Sequence, residues 1–145
     1  MVYLLDTNII IRFLVGDNEE HLAKSTEYFE QIELGSMEVE ILSDVLMEAF
    51  FVLTKFYKVP KVEVISDLKT ILSFEGVVNK DKVILFETLS IIENKNIDFV
   101  DALICAKCKF QNYEKLSFDK DLNKCWVTYL TPKEYGASYL QCRDF

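Results

Sequence analysis

The sequence predicts an α/β fold with three layers, in which helices cover both faces of a central, mostly parallel sheet of about five strands. Short apolar runs rich in strand-forming residues alternate with longer segments of helical periodicity; the runs are residues 2–5, 39–42, 76–78, 116–118 and 126–130. These runs are apolar on both faces, which is typical of strands inside a parallel sheet. Because no repeat or linker interrupts the pattern, residues 1–145 are predicted to form one domain.

The helices are predicted from apolar residues spaced three and four apart and from the turn residues between them. Thr7 and Asn8 are candidate caps for the first helix, and Ser43 or Asp44 for the helix after the second strand. The predicted helices cover residues 9–14, 19–33, 44–57, 61–73, 81–94 and 98–110. A last turn or short helix is predicted to begin at Thr131, and the tail is expected to be loose.

Composition and charge restrict the class of protein. Half of the residues are hydrophobic, with eleven Phe and seven Tyr, so a disordered chain is not expected. The chain has no apolar stretch of membrane-spanning length and no basic region before its first apolar run, so we expect a soluble, cytoplasmic protein without membrane contact. The net charge of −8 argues against a broad basic surface for nucleic acid.

The cysteines and the histidine are not spaced for zinc-finger or triad chemistry. Cys105 and Cys108 form a C-x-x-C pair inside a predicted helix, with no second pair at the spacing of a zinc finger. We interpret the cysteines as buried or surface thiols in a reducing compartment. His21 is the only histidine and lies among acids at a predicted helix start, which gives little support to a serine or cysteine triad.

Four acids occupy positions that the predicted fold would bring to one edge of the sheet, where ligands of parallel sheets collect. Asp6 and Asp119 directly follow predicted strands. Glu48 lies about one turn into the helix after the second strand, and Asp101 lies in the first turn of the last long helix. Packed carboxylates repel one another unless a cation neutralises them, and Mg²⁺ or Mn²⁺ suits oxygen ligands. One or two such ions can activate a water molecule for phosphodiester hydrolysis.

Four motifs in this order give the chain a resemblance to a known family. D-T-N after the leading strand, D-V-L-M-E-A-F, D-F-V-D-A-L-I-C-A and L-S-F-D-K-D-L together resemble a PIN-domain ribonuclease. Their order, the chain length and the tail L-T-P-K-E-Y look like the VapC toxins of toxin–antitoxin pairs. The resemblance implies a PIN-like α/β/α domain, a Mg²⁺- or Mn²⁺-dependent endoribonuclease acting on RNA, a homodimer and inhibition by a small antitoxin protein.

The resemblance also implies roles for particular residues. Asp6, Glu48, Asp101 and Asp119 would be the catalytic and metal-binding acids. The remaining positions would support them: Asp121 as an additional acid, Asp98 as an outer one, and Thr7, Asn8 and Ser117 as polar groups that orient the acids or a water molecule. Arg12 lies on an otherwise apolar helix near Asp6 and would pair with an acid or contact substrate phosphate.

Structural roles remain open for the same residues. Asp6 could only cap a helix, Glu48 could be a solvated helix residue, and Asp101 could only favour the helix dipole. For Asp98 the cap is the preferred interpretation, whereas Asp119 and Asp121 could be turn residues.

Two other functions compete with the nuclease. A catalytically inactive PIN-like module would bind protein or RNA without turnover. A phosphatase or phospho-receiver would also use an Asp after a parallel strand, but the phosphatase needs a second Asp two residues later, where this chain has Asn8.

Overall fold

The computed structural model describes residues 1–123, except for the side chains of residues 121 and 123. Its Cα packing divides into two compact units, of which the first is Met1–Lys82 and the second begins at Val83. The predicted strand at 126–130 and the segment from Thr131 lie outside the described residues. The single domain over 1–145 stays a prediction.

The first unit has two short strands and four α-helices. The strands are β1 (Val2–Leu4) and β2 (Glu38–Glu40); the helices are α1 (Thr7–Val15), α2 (Glu19–Leu34), α3 (Ser43–Phe51) and α4 (Lys61–Leu72). The second unit contains most of α5 (Lys82–Asn94), then α6 (Phe99–Gln111) and a 3₁₀ turn, Lys120–Asn123. All six predicted helices are therefore present, with ends that differ by a few residues at most, apart from the C-terminal part of the third.

The sheet is parallel but smaller than predicted. Tyr3 of β1 pairs with Val39 of β2, and the Leu5 N–H donates to the Glu40 carbonyl oxygen at 3.0 Å. The predicted strand at 76–78 contributes one isolated parallel bridge, between Val77 and Val39. The described residues thus form a two-stranded parallel sheet, and the predicted number of about five strands is not confirmed.

Residues 116–118 do not form the predicted strand. Leu116 and Phe118 are almost fully exposed to solvent. Their apolar side chains therefore lack the burial that would stabilise a strand at this place. Three residues also supply too few ladder hydrogen bonds to hold an extended conformation without a paired neighbour.

Short polar and glycine signals determine how α1 and α2 end and begin. Gly16 has the left-handed conformation (φ 69°) and its N–H donates to the Arg12 carbonyl oxygen, which ends α1. The Asn18 side chain accepts a hydrogen bond from the His21 N–H at 2.9 Å and so caps α2. The short connection lets the two helices pack together, with the rings of Phe13 and Phe29 at a centroid distance of 4.4 Å.

The start and the end of α3 differ from the prediction. Leu42 is at the N-cap position and makes no side-chain cap, so neither Ser43 nor Asp44 caps this helix. The chain continues beyond α3 as a π-helical turn, Val52–Phe56. Thr54 contributes to the change of winding because its hydroxyl donates to the Phe50 carbonyl oxygen at 2.8 Å.

In the second unit, one face of α6 is buried and an ion pair joins α6 to α5. Ala102, Cys105 and Ala106 are buried along one face of α6. Lys109 Nζ lies 3.1 Å from Glu87 Oε1, which links α6 to α5. Cys105 is disulfide-bonded, so its interpretation as a thiol is wrong, whereas Cys108 is a free, buried thiol.

Candidate active site

Asp6 lies two residues after the end of β1, and its side chain is exposed. It occupies the N-cap position of α1 (φ −86°, ψ 150°), but its side chain makes no capping hydrogen bond. Thr7 and Asn8 belong to the first turn of the helix, so they do not cap it either. Within residues 1–123 the Asp6 carboxylate has neither a hydrogen bond nor an ion pair. Asp6 therefore occupies the predicted cap position, but no side-chain cap is present within the described residues.

Thr7 adds a second unsatisfied oxygen beside Asp6. Its side chain is buried, with 5% exposure, and its hydroxyl has no hydrogen-bond partner in the part of the chain that the structure describes. A buried hydroxyl without a partner is costly and is usually satisfied by water, an ion or a ligand. Asn8, one residue further on, is exposed at the start of α1.

Glu48 lies on α3, whose start follows the carboxyl end of β2. Because β1 and β2 are parallel neighbours, the start of α3 and Asp6 lie toward the same edge of the sheet, and α1 packs against α3. Ala49 and Phe50 are buried, but the Glu48 side chain is exposed and has no partner among the described residues. The alternative of a solvated helix residue therefore stays open for Glu48.

The remaining acids belong to the second unit. Asp98 is at the N-cap position of α6, as preferred from the sequence, but its side chain makes no capping hydrogen bond. Asp101 is partly buried in the first turn of the same helix. Ser117 Oγ accepts a hydrogen bond from the Asp119 N–H at 2.8 Å, so Ser117 shapes the turn that presents Asp119. Asp121 lies in the 3₁₀ turn.

The convergence of all four acids remains a prediction. Among the described residues, no group of three or more His, Cys, Asp or Glu side chains is close enough to hold a metal ion. The expectation that Asp119 directly follows a strand is also wrong, because the preceding residues are not a strand.

Arg12 forms an ion pair, but with an acid that the sequence did not indicate. Its Nη1 lies 2.7 Å from Asp17 Oδ1, and the Tyr57 hydroxyl donates to Asp17 Oδ2 at 3.0 Å. The hydrogen bond from Arg12 lowers the pKa of the Asp17 carboxyl, and the same bond raises the pKa of Arg12. The hydrogen bond to Asp17 raises the pKa of Tyr57. This network links the end of α1 to the π-helical segment across forty residues of sequence, which no local pattern could indicate.

A cavity of about 330 Å³ lies beside Asp6. Its lining is mainly apolar and includes Tyr3, Leu5, Ile9 and Tyr28. Asp6 lines this cavity, whereas the neighbouring Thr7 and Asn8 do not. A carboxylate oxygen such as those of Asp6 suits a hard divalent cation better than a soft metal, and no protein group within residues 1–123 competes for the Asp6 carboxylate.

The fold and this site define a helix-rich α/β protein in which a carboxylate without a partner in residues 1–123 lies near the carboxyl end of a parallel sheet. The family model of the PIN domain matches residues 3–125, and the chain belongs to the PIN domain family. PIN domains are generally nucleases and usually use divalent metals. No match was found among curated proteins or among solved structures. No helix in the described part of the chain is long and apolar enough to cross a membrane.

Proposed function

We propose that the protein is a Mg²⁺- or Mn²⁺-dependent endoribonuclease that hydrolyses RNA phosphodiester bonds. The observation that supports this most directly is the Asp6 carboxylate, which lies at the end of β1 in a PIN domain and has no partner within residues 1–123. A surface carboxylate that contributes no cap or ion pair to the fold is available for a ligand.

The proposal assigns the metal-binding and catalytic roles to Asp6, Glu48, Asp101 and Asp119. A divalent ion held by these acids would polarise a water molecule and neutralise charge that develops on the leaving oxygen. Thr7 and Asn8, in the first turn of α1, would orient a water molecule near Asp6, and Ser117 would orient Asp119 through the turn that it forms. Asp98 and Asp121 would act as outer acids.

The test is cleavage of a mixed pool of structured and single-stranded RNA with Mg²⁺, Mn²⁺ or EDTA. Wild type is compared with Asp6→Asn and with Asp44→Asn, a control that removes another exposed carboxylate near the sheet edge, in the first turn of α3. Because the Asp6 carboxylate makes no hydrogen bond within residues 1–123, Asp6→Asn is expected to keep the wild-type melting temperature and to lose cleavage. Asp44→Asn is expected to keep both.

Two results would contradict the nuclease. Full cleavage by Asp6→Asn would show that the Asp6 carboxylate is not needed for hydrolysis, which contradicts the assigned site. Absence of cleavage by wild type with every metal, together with retained binding of RNA or protein, would favour the catalytically inactive binding module instead.

We further propose that the protein is the toxin of a toxin–antitoxin pair, that it acts in the cytoplasm as a homodimer, and that a cognate antitoxin inhibits it. The resemblance of its four motifs to VapC toxins supports this. Induced expression in a bacterial host is expected to arrest growth, and Asp6→Asn is expected to abolish the arrest. A monomeric mass by light scattering at micromolar concentration would contradict the dimer.

A further inference from the structure

A second cavity, of about 280 Å³, lies between α1 and α2 and differs in chemistry from the one beside Asp6. Its lining combines basic groups with uncharged hydrogen-bond donors. These side chains are Asn8, Arg12, His21, Lys24, Ser25 and Tyr28. We call this cavity the α1–α2 groove.

Helical spacing gives the groove its donors. Asn8 and Arg12 are four residues apart on α1, so they share one face of that helix. His21 and Lys24 are three residues apart on α2 and likewise share a face. Arg12 and Lys24 are the only two bases in residues 1–54, where Asp and Glu number eleven, yet both line the same groove. The most acidic part of the chain therefore concentrates its cations at one place.

Ser25 supplies an independent observation. Its side chain is 2% exposed, it lines the groove, and its hydroxyl has no hydrogen-bond partner within residues 1–123. Serine in a helix often satisfies its hydroxyl through the carbonyl one turn earlier, as Thr54 does in this chain. An oxyanion in the groove would accept the hydrogen bond that Ser25 does not make within the described structure.

The groove cations have neighbours that a ligand would have to compete with. Arg12 Nη1 donates to Asp17, and a guanidinium has five N–H donors, so it can keep this ion pair and bind a second anion. Lys24 Nζ lies 3.3 Å from Glu27 Oε2 in an ion pair in which both side chains are 58% exposed. Such exposed pairs contribute little stability, so Lys24 can turn toward a bound anion at low cost.

The groove adjoins the proposed active site. Ile9 and Tyr28 line both cavities, so these two side chains separate the α1–α2 groove from the cavity that contains Asp6. An RNA strand that presents one phosphate at Asp6 could present another on the far side of this wall.

We propose that the α1–α2 groove binds a backbone phosphate of the RNA substrate, with Arg12 and Lys24 as charged contacts and Ser25 as a neutral donor. The proposal rests on the proposed function in that RNA is taken as the substrate. It adds a binding site outside the predicted acids and explains how a chain of net charge −8 can hold a polyanion.

The test measures binding of a single-stranded RNA oligonucleotide as a function of salt, in the Asp6→Asn background so that the RNA stays intact. Addition of Arg12→Gln and Lys24→Gln together is expected to weaken binding about tenfold at low salt. The slope of log K against log salt should fall by about 0.7 for each phosphate that the protein no longer neutralises. Ser25→Ala is expected to weaken binding while leaving the melting temperature unchanged, because the fold loses no hydrogen bond.

A matched acid variant separates phosphate binding from a purely structural role of the ion pair. Asp17→Asn breaks the same Arg12–Asp17 pair but leaves the guanidinium in the groove, so RNA binding is expected to become about two- to fivefold tighter. If Arg12 acted only by stabilising the fold, Asp17→Asn would weaken binding as Arg12→Gln does. Glu30→Gln and Lys80→Gln, exposed positions outside the groove, control for net charge.

The outcomes distinguish this proposal from the nuclease. Metal-dependent cleavage by wild type combined with unchanged RNA affinity and salt slope in the Arg12 and Lys24 variants would refute the groove and leave the nuclease intact. The expected affinity changes without any cleavage would support the groove and refute the nuclease. If the Asp6→Asn protein binds no RNA even at low salt, or if an acidic peptide competes while RNA does not bind, the groove is not an RNA phosphate site.

Discussion

Asn79 tests how much a buried side-chain hydrogen-bond network stabilises the segment that follows β2, near the proposed site. Its side chain is 8% exposed and pairs with both backbone groups of Ile41, between β2 and α3. The Ile41 N–H donates to Asn79 Oδ1 at 2.8 Å, and Asn79 Nδ2 donates to the Ile41 carbonyl oxygen at 2.6 Å and to Asp81 Oδ1 at 2.9 Å. The Asn79 side-chain amide thus makes the two hydrogen bonds to Ile41 that the backbone of a neighbouring strand would make. It does so next to the isolated bridge between Val77 and Val39.

Replacement by leucine, Asn79→Leu, keeps the branched side-chain shape and removes all of these bonds. Ile41 is fully buried, so its N–H and carbonyl groups would each lose their partner away from water. An unsatisfied buried polar group costs about 1–3 kcal/mol, which for two groups gives about 2–6 kcal/mol of lost stability. Asn94→Ala is the matched control, because Asn94 also bonds a backbone carbonyl oxygen, that of Ser90, but is exposed. It is expected to cost no more than about 0.5 kcal/mol.

The assay is urea unfolding together with hydrogen exchange at the Ile41 amide. Asn79→Asp provides a further check, because it keeps the acceptor for the Ile41 N–H but places a carboxylate against the Ile41 carbonyl oxygen and Asp81. Burial beside another acid raises the pKa of the introduced carboxyl, so this variant should regain stability as the pH falls. A loss below about 0.5 kcal/mol in Asn79→Leu, with unchanged exchange at Ile41, would refute the reasoning.

Three other substitutions test the packing and electrostatics of the first unit. Gly76→Ala is expected to cost about 3 kcal/mol in urea unfolding, because its Cβ would clash with the Met37 carbonyl oxygen and lie 2.6 Å from that of Ile32. Phe29→Ala should cost about 3–5 kcal/mol by the same assay, since Phe29 is 2% exposed and packs on Phe13. Asp67→Asn should raise stability at pH 7 by about 0.5 kcal/mol or less in thermal melts, because burial, and then Glu63, raises the pKa of Asp67.

The sign of the Asp67 prediction follows from proton linkage. When a carboxyl group has a higher pKa in the folded state than in the unfolded state, the protein becomes more stable as the pH falls through the folded-state pKa. The advantage of Asp67→Asn should therefore vanish in acid, and a gain that persists there would contradict the role of the charge. For Phe29→Ala the control is Phe56→Ala, which removes a 75% exposed ring and should change stability by no more than about 0.5 kcal/mol. A Gly76→Ala protein as stable as wild type would show that the backbone around it can shift.

The helices and the first two strands could be predicted from the sequence because each depends on a pattern local to itself. Periodic spacing of apolar residues along α2 determines which face is buried, and Gly16 and Gly35 end helices through a conformation that a glycine adopts without strain. The position of Asp6 after β1 follows from the same local pattern. The sequence did not predict that residues 76–78 contribute only an isolated bridge to the sheet. The hydrogen bonds to Ile41 come instead from the Asn79 side chain, and these two residues are thirty-eight positions apart in the sequence.

The sequence by itself determined the order of the six helices and the first two strands, the PIN family motifs and the candidate acids, because local periodicity and residue chemistry follow from the chain itself. Only the tertiary structure decided that Arg12 pairs with Asp17, that residues 116–118 are not a strand, and that the bases of the first 54 residues meet in one groove. These features depend on which distant groups pack together. Burial and hydrogen-bond satisfaction across elements decide that, and no local pattern encodes it.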